Sequence, residues 1–370
     1  MKILIIKLSS LGDVVHAMPA VQDLLRAFPD AQIDWVVECG FASLVQRCKG
    51  VHRVIASDLR HWRKVPLSAQ TRRAWGLFKA ELQQEKYDAV IDLQGLSKSA
   101  LISWLARLSA TGKRYGLANQ TEGSSFEAPA RWVADVAINL PMRSHAVTRS
   151  RLLCAQALHY DLPFCEPFGL LAHTEKAQEA IKNIAYRRGL RGMVALVHGT
   201  SRADKQWPLA HWMDLAQRLN VSGFGVALPH GNPAEEQISK EIAFELEHAQ
   251  VWPAMPLDAL TDALATCSGV IGVDSGLSHI AVALDFPHVQ IYNFDTAWRT
   301  GPHMASRIDV ASAPPSDAQA APQLTRDDVP YAKTPHQCSV YAQPTPTVDA
   351  VWEAWQTVYT ATGHSGFALL

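Results

Sequence analysis

The sequence lacks the features that mark several large classes of protein. Its six cysteines form no CxxC pair and have no metal-ligand spacing with the histidines, so we expect reduced thiols in a cytoplasmic protein. No uncharged run approaches the ~18 residues of a membrane span. Lys7 and Asp13 interrupt the apolar start too early for a signal peptide. We therefore expect any membrane contact to be peripheral.

The chain also lacks an excess of charge and a dinucleotide fingerprint. Its 34 Lys and Arg residues against 35 Asp and Glu give a formal net charge of −1, so nothing indicates a nucleic-acid partner. The GxGxxG pattern is absent, because the stretch 223–228 begins it but has no third glycine. We therefore do not expect a nicotinamide-dependent oxidoreductase.

What the chain does have is a regular alternation of strand-like and helix-like stretches. Its 370 residues are too many for one typical core, and 48% of them are hydrophobic. The patterns predict strands at 2–8, 33–37, 89–93, 114–117, 193–197, 225–228, 270–273 and 288–292, and helices near 20–28, 69–85, 97–108, 210–219, 234–246, 257–265 and 277–284. Strands this apolar, separated by helices, predict parallel sheets covered on both faces. The fold class is therefore α/β, with two doubly wound domains.

The predicted domains are 1–165 and 166–346, followed by a C-terminal helix and tail at 347–370. The boundary lies in the proline-containing segment 161–169. Eight of the 21 prolines fall in 301–346, which predicts a long surface loop. Apolar residues at helical spacing follow, so we expect the final helix to pack back across one or both domains.

Three predicted strands end in turns rich in small polar residues. The turns are SSLGD at 9–13, HGTSRADKQWP at 198–208 and, with the last strand residue, VDSGLSH at 273–279. A strand-turn-helix corner directs backbone N–H groups beyond the carboxyl edge of a sheet, where they suit a phosphate or diphosphate. Each corner could also be an ordinary turn capped by Asp or Ser. Two hydroxyl-rich corners in one half of the chain, one with the cation Lys205, favour a nucleotide-type ligand.

Asp13 has two possible roles at the first corner. It could cap the helix that follows, or it could act as a carboxylate base. A weak base suffices for sugar transfer, because the transition state resembles an oxocarbenium ion and the attacking hydroxyl loses its proton late. His16, one turn into the helix, is more typical of a packing or hydrogen-bonding residue.

The three turns, together with RHWRK at 60–64 and DLQGLSKS at 92–99, resemble the bacterial ADP-heptose lipopolysaccharide heptosyltransferases. Among these, the resemblance is greatest to the enzymes that add the first heptose of the inner core. It spans roughly residues 1–295, with the motifs in the family's order. It implies the GT-B architecture, in which two Rossmann-like domains face each other across a cleft, the acceptor site in the N-terminal half and the donor site in the C-terminal half.

The resemblance also implies the residues of the donor site. Lys205 would offset charge on the leaving ADP in place of a metal, so no cofactor or metal is expected and ADP-heptose is the donor substrate. Asp274 would bind heptose hydroxyls or orient Lys205. Glu235 would accept hydrogen bonds from the ribose, and Met255 would line the adenine pocket, although it could instead be a buried core residue. The remaining contacts to phosphate and sugar would come from Thr200, Ser201, Ser275, Gly276 and His279.

On the acceptor side, Asp13 would deprotonate a Kdo hydroxyl. Between positions 52 and 73 there are six Lys or Arg residues against one Asp, which is typical of a solvated face. The resemblance instead places Arg60, Arg63 and Lys64 of this run against the anionic phosphates and carboxylates of Kdo-lipid A, at the cytoplasmic face of the inner membrane. The acceptor-binding residues implied are Ser10, Arg60, Arg63, Lys64 and Lys98.

The sequence therefore predicts a monomeric, peripheral membrane enzyme that transfers heptose from ADP-heptose to Kdo-lipid A with inversion. We expect the turns of the two domains to converge on one gap, and domain closure to exclude water. One alternative is a heptosyltransferase acting on an already heptosylated core. Another is a module that binds a nucleotide sugar or lipid without chemistry.

Overall fold

The strands and helices form two α/β units in the computed structural model, which describes residues 1–162, 167–173, 190–302 and 330–363, except the side chains of 330–334. The units divide the chain into Met1–Leu171 and Ala172–Leu370. The predicted domain boundary, after residue 165, lies outside the described residues. The final helix belongs to the second unit.

The first unit contains a parallel six-stranded sheet in the order β3-β2-β1-β4-β5-β6. Residues 3–6 of its central strand are apolar and have no exposed surface, as expected for a strand covered on both faces. The strands are β1 Lys2–Ile6, β2 Gln32–Glu38, β3 Val51–Ser57, β4 Lys86–Asp92, β5 Arg107–Leu117 and β6 Val136–Ile138.

The helices of the first unit follow most of these strands. Ser68 caps one of them, because its side chain accepts a hydrogen bond from the backbone N–H of Thr71. The helices are α1 Leu11–Ala27, α2 Ala42–Val45, α3 Leu59–Trp62, α4 Ala69–Leu82, α5 Ser97–Leu105, α6 Ala128–Val133 and α7 Ala146–Leu158.

The second unit contains a seven-stranded sheet in the order β12-β13-β11-β10-β7-β8-β9, in which only β12 pairs antiparallel. The strands are β7 Gly192–Val197, β8 Phe224–Leu228, β9 Ala249–Val251, β10 Gly269–Val273, β11 His288–Tyr292, β12 Pro330–Thr334 and β13 Gln337–Tyr341. The described helices are α8 Leu209–Val221, α9 Pro233–Ala243, α10 Leu257–Leu264, α11 Gly276–Ala283, α12 Ala297–Thr300 and α13 Val348–Thr360. Every helix in the described parts of the chain is too short or too polar to span a bilayer.

The final helix, α13, packs back onto the sheet of the second unit. Trp355 is fully buried, with its ring centroid 5.7 Å from that of Phe224. It also lies against Gly269, where a β-carbon would come within 2.6 Å of the indole. The C-terminal segment therefore completes the core of the second unit.

The prediction of a surface loop through 301–346 is wrong over residues 330–341, which contain the strands β12 and β13. Residues 337–341 form β13, which pairs parallel with β11 and is almost fully buried. The strand was hard to predict because it begins with a polar residue, Gln337. The side chain of Gln337 is buried and donates to the carbonyl groups of Val282 and Phe286. Residues 303–329 lie outside the described residues.

Each sheet has one position between neighbouring parallel strands where the chain order reverses. In the first unit this switch point lies between β1 and β4, and in the second between β7 and β10. Loops that leave the carboxyl ends of strands at a switch point form a crevice, which is where open α/β sheets bind ligands. The three polar turns predicted from the sequence leave β1, β7 and β10.

Candidate active site

In the second unit, close packing brings the turns after β7 and β10 together. Gly272 of β10 makes this possible, because a β-carbon there would lie 2.4 Å from Ser278 Oγ and 2.8 Å from Val197 Cβ. The Ser278 hydroxyl donates to the carbonyl of Val273, 2.6 Å away. The start of α11 is therefore held against the ends of both strands.

Asp274, the first residue after β10, connects the two turns. Its carboxylate Oδ2 lies 2.5 Å from the ammonium of Lys205, which comes from the turn after β7. Its other oxygen lies 3.2 Å from His279 Nε2, on the first turns of α11. The Asp274 side chain is only 5% exposed, whereas that of Lys205 is 19% exposed. Asp274 therefore fixes the position of a cation that remains accessible.

The charge state of Asp274 supports this orienting role. Burial would raise the pKa of its carboxyl group, but the hydrogen bond and charge of His279 and the charge of Lys205 outweigh burial and lower that pKa well below its ordinary value. Asp274 is therefore an ionised partner for Lys205. Of the two roles that the resemblance left open for Asp274, this geometry favours the orientation of Lys205.

The other predicted phosphate-binding residues lie at the same edge. Ser275 precedes α11 in an extended conformation, and its side chain makes no capping hydrogen bond. Gly276 begins the helix, whose first N–H groups are without partners inside it and suit an anion. Thr200 is half-buried, with Oγ1 3.4 Å from the carbonyl of Asp274, and Ser201 is exposed.

Glu235 is brought to the same edge by α9, near its N-terminus. Its Oε2 accepts a hydrogen bond from the N–H of Gly231 at 2.7 Å. Its carboxylate also lies against the backbone of Gly199, where a β-carbon would come within 2.8 to 3.0 Å of the carboxylate atoms. The structure thus places Glu235 beside the turn after β7.

Met255 lies half-buried in the loop between β9 and α10. It is not part of the hydrophobic core cluster of the second unit, so its interpretation as a buried core residue is wrong. Because β9 is parallel to β8 and β7, this loop leaves the same edge of the sheet as the Lys205 turn.

Sequence analysis missed Asn293, which holds the Lys205 turn in place. Its side-chain amide donates to the carbonyls of Asp204 and Gln206, at 3.0 and 2.9 Å, and accepts from the Thr345 hydroxyl at 2.8 Å. A signal was present in the sequence, because Asn293 directly follows the predicted strand 288–292 and must lie at the same carboxyl edge.

In the described residues, no group of three or more His, Cys, Asp or Glu side chains is arranged to hold a metal ion.

In the first unit, Asp13 lies at the switch point between β1 and β4. It is the third residue of α1, and its Oδ2 accepts hydrogen bonds from the N–H and hydroxyl of Ser10, at 3.0 and 2.8 Å. Its Oδ1 lies 3.7 Å from the guanidinium of Arg149, on α7, a residue that sequence analysis missed. The N-cap of α1 is Ser10. Asp13 therefore does not cap the helix itself, but takes part in capping as the third helical residue of a capping box with Ser10. One-third of the Asp13 side chain remains exposed (35%), which leaves it accessible to a substrate.

Two cations control the charge of Asp13. Burial would raise the pKa of its carboxyl group, but Lys7, Arg149 and the hydrogen bonds from Ser10 together lower that pKa below its ordinary value. Because its pKa is lowered, Asp13 is ionised near neutral pH. Burial lowers the pKa of the Lys7 ammonium to about 8, so Lys7 remains mostly charged at that pH. His16 is buried, and its ring lies 6.0 Å from that of His145, which is consistent with a packing role.

Lys98 lies at the N-terminus of α5, at the same switch point. Its ammonium donates to the hydroxyl of Ser9, the neighbour of Ser10, at 3.0 Å. The backbone here is fixed by Gln94, whose Oε1 accepts from the N–H groups of Leu8 and Ser9. Two predicted acceptor residues, Ser10 and Lys98, therefore lie beside the Asp13 corner.

The basic run of the first unit is divided between two roles. Arg60, Arg63 and Lys64 are exposed, on or just after α3. Arg53, in contrast, pairs with Asp34 at 2.7 Å and is a structural residue. Only part of the run is therefore available to an anionic partner.

Comparisons with known proteins identify the family of this chain. A model of glycosyltransferase family 9 (heptosyltransferase) matches residues 75–328. Lipopolysaccharide heptosyltransferase 1 of Pseudomonas aeruginosa is 37% identical over 328 residues, 88% of this chain and 87% of that protein. A solved Escherichia coli heptosyltransferase, WaaC with ADP, is 34% identical, with a TM-score of 0.69 over 82% of this chain and 91% of that one.

The same Escherichia coli enzyme, solved with ADP-2-deoxy-2-fluoro heptose, is 35% identical and gives a TM-score of 0.65 over 78% of this chain and 88% of that one. The predicted fold class is confirmed, since the chain folds into two α/β units with largely parallel sheets and the solved relatives are GT-B heptosyltransferases. The chain therefore belongs to glycosyltransferase family 9, the heptosyltransferases.

Proposed function

We propose that this protein is an inverting, metal-independent glycosyltransferase that moves L-glycero-D-manno-heptose from ADP-heptose to a Kdo residue of Kdo-lipid A, the first heptose of the lipopolysaccharide inner core. The observation that carries the proposal is an ionised, accessible carboxylate, Asp13, at one switch point, together with a diphosphate-type corner at the other. Relatives of more than a third identity that carry the heptosyltransferase name support the donor and the reaction type.

The donor is proposed to bind the second unit through its ADP. The Lys205 ammonium and the first N–H groups of α11 would hold the diphosphate, and the solved relative with ADP supports this choice of nucleotide. As the glycosidic bond breaks, negative charge grows on the leaving ADP, and a fixed cation stabilises that charge. Glu235 would accept hydrogen bonds from the ribose hydroxyls, and Met255 would contact the adenine.

Asp13 is proposed as the general base. The acceptor hydroxyl attacks the anomeric carbon of the heptose from the face opposite ADP, so the carbon–oxygen bond to ADP breaks as the new one forms. The proton of that hydroxyl passes to Asp13. A low pKa makes Asp13 a weak base but keeps it unprotonated, and a late proton transfer tolerates a weak base.

The acceptor is proposed to lie over the first unit with its anionic groups against exposed cations. Arg60, Arg63 and Lys64 are accessible for this, and such a cluster would also attract an anionic membrane surface. We therefore propose a monomer that associates peripherally with the cytoplasmic face of the inner membrane.

Mass spectrometry of the product formed from ADP-heptose and Kdo-lipid A tests the proposal directly. We expect the mass of one added heptose, NMR signals of an anomeric configuration opposite to that of the donor, and unchanged activity in the presence of a metal chelator. Transfer only to an already heptosylated acceptor would assign the enzyme to a later step. If the protein releases no ADP with either acceptor, it is a module that binds a nucleotide sugar or lipid without chemistry.

A further inference from the structure

A cavity of about 380 Å³ opens in the first unit beside the Asp13 corner. Its walls combine two tryptophans and two leucines with three cations and a single carboxylate, that of Glu38. Pockets of this kind, largely apolar with a few polar groups, are typical of small-molecule sites. The carboxylate has no role in the chemistry described above.

Glu38 has an unusual position at the end of β2. The residue is only 4% exposed, and its Oε1 is buried without a hydrogen-bond partner. Burial raises the pKa of its carboxyl group, while the charges of Lys98 and Arg60 and a hydrogen bond from the backbone of Arg60 act in the opposite direction. A buried carboxylate oxygen without a donor is costly, so such an atom calls for a ligand group that can donate.

The aromatic walls of the cavity are fixed by packing. The rings of Trp62 and Trp75 meet edge to face with centroids 5.6 Å apart, and both also contact Phe78. Rings held in this way offer a rigid apolar surface to the C–H face of a sugar. The cations Arg60, Arg63 and Lys98 line the same cavity and suit an anionic group.

A short series of contacts links the cavity to the base. Lys98 lines the cavity and donates to Ser9, at 3.0 Å, and the next residue, Ser10, donates to Asp13 at 2.8 Å. Glu38 and these serines also lie at adjacent strand ends, since β2 neighbours β1. A ligand in the cavity would therefore lie next to the carboxylate that takes the proton.

We propose that Glu38 is a specificity-determining residue for the acceptor, which accepts a hydrogen bond from a hydroxyl group of the acidic sugar in this cavity. The cations Arg60, Arg63 and Lys98, whose part in acceptor binding the resemblance already implies, would hold the carboxylate of that sugar. The inference rests on the proposed function, because it takes the acceptor to carry an acidic sugar. Glu38 is then an acceptor-recognition residue. A neutral sugar would leave the cations unpaired, and an acyl chain would leave Oε1 without a donor.

The test compares Glu38→Gln with the wild type, using Kdo-lipid A and its O-deacylated form. The amide is a weaker acceptor than the carboxylate, so we expect the KM for either acceptor to rise about 10-fold. We expect kcat, the KM for ADP-heptose and the melting temperature to be unchanged. The matched control is Glu85→Gln, in which the replaced carboxylate pairs with Lys2 at the opposite end of the sheet. This control should leave the acceptor KM unchanged.

An unchanged acceptor KM in Glu38→Gln would overturn the inference, as would an equal rise in both substrate KM values together with a fall in melting temperature. Loss of the effect with the O-deacylated acceptor would assign the cavity to an acyl chain and overturn its assignment to the sugar. Calorimetric titration of both proteins with O-deacylated Kdo-lipid A, without donor, keeps the tests separate. Weaker binding by the variant supports the inference even if the wild type transfers no heptose, whereas absence of transfer by the wild type contradicts only the proposed function.

Discussion

The ammonium of Lys205 lies 2.5 Å from the carboxylate of Asp274, and the two residues come from turns that follow neighbouring parallel strands. This ion pair orders a long, flexible side chain before a ligand arrives, and it leaves part of the ammonium exposed. Its geometry makes the role of the lysine testable by altering either partner.

Replacement of Lys205 by alanine should weaken use of the donor strongly. The variant loses the cation that offsets charge on ADP, so we expect kcat/KM for ADP-heptose to fall about 10²-fold or more. Asp274→Asn should cause a smaller loss, because it keeps the cation but loosens its position. Steady-state kinetics with varied ADP-heptose measure both effects.

The control for Lys205 is Lys240→Ala, which removes an ammonium that pairs with Glu236 on the surface of α9. We expect wild-type kinetics for this variant. Unchanged donor kinetics in Lys205→Ala would remove Lys205 from the site.

Replacement of Asp13 by alanine should affect turnover and spare the binding of ADP-heptose. Loss of a general base lowers kcat by about 10² to 10⁴-fold. Pre-steady-state transfer rates and calorimetric titration of ADP-heptose separate the two effects. Transfer at the wild-type rate would show that the carboxylate serves only the capping box with Ser10.

The dependence of turnover on pH should respond to Lys7. This buried ammonium, which donates to the carbonyl of Leu93 at 3.1 Å, lowers the pKa of Asp13. In Lys7→Met that pKa should rise, so the acid limb of the kcat–pH profile should move to higher pH. An acid limb at the same pH in both proteins would show that Lys7 does not influence the base.

The stability of the second unit should fall in mild acid because of a buried histidine. Burial lowers the pKa of His198 from 6.5 to about 4, and its Nε2 lies 2.7 Å from Ser239 Oγ. Between these pKa values the unfolded state binds a proton that the native state does not, so the free energy of unfolding falls as the pH drops from 6.5 to 4. A single group of this kind can account for about 3 kcal/mol. Denaturant titrations of the wild type and His198→Gln across this range should show a shallower pH dependence in the variant.

Gly199 should be sensitive to the addition of a single methyl group. A β-carbon at this position would come within 2.8 to 3.0 Å of the Glu235 carboxylate, which must then move. If Glu235 binds the ribose, Gly199→Ala should raise the Kd for ADP several-fold, as measured by calorimetry. Gly76→Ala is the matched control, since nothing lies within 4 Å of its added carbon, and it should bind ADP normally. Equal ADP affinity in the two variants would contradict the role of Glu235.

The main strands could be predicted because each is a short apolar run in a sheet covered on both faces. Helices and strands in which a charged side chain pairs with an opposite charge elsewhere in the fold were not predicted. The face of α7 includes Arg151, which is buried because it pairs with the buried Asp23 at 2.6 Å. In β3 the charged side chain of Arg53 interrupts the apolar pattern, because it pairs with Asp34, and the strand was therefore not predicted. A single sequence does not reveal such partners, which lie far apart along the chain.

The polar turns of the candidate site could be predicted for a similar reason, because the ends of parallel strands meet at one edge. Residues that reach a turn from another element could not. Arg149 approaches Asp13 from an unpredicted helix, and the cavity position of Glu38 depends on the order of the strands. Strand order is a property of the folded sheet and is not encoded in any local pattern.

The bond between Asn293 and Thr345 gives the donor turn two separate attachments to the sheet. Asn293 continues from β11, whereas Thr345 comes after β13, so the chain between them begins and ends beside the same two paired strands. The Lys205 turn is therefore held by two residues that lie 52 positions apart in the chain, and loss of the Thr345 hydroxyl would loosen a turn far from it in sequence.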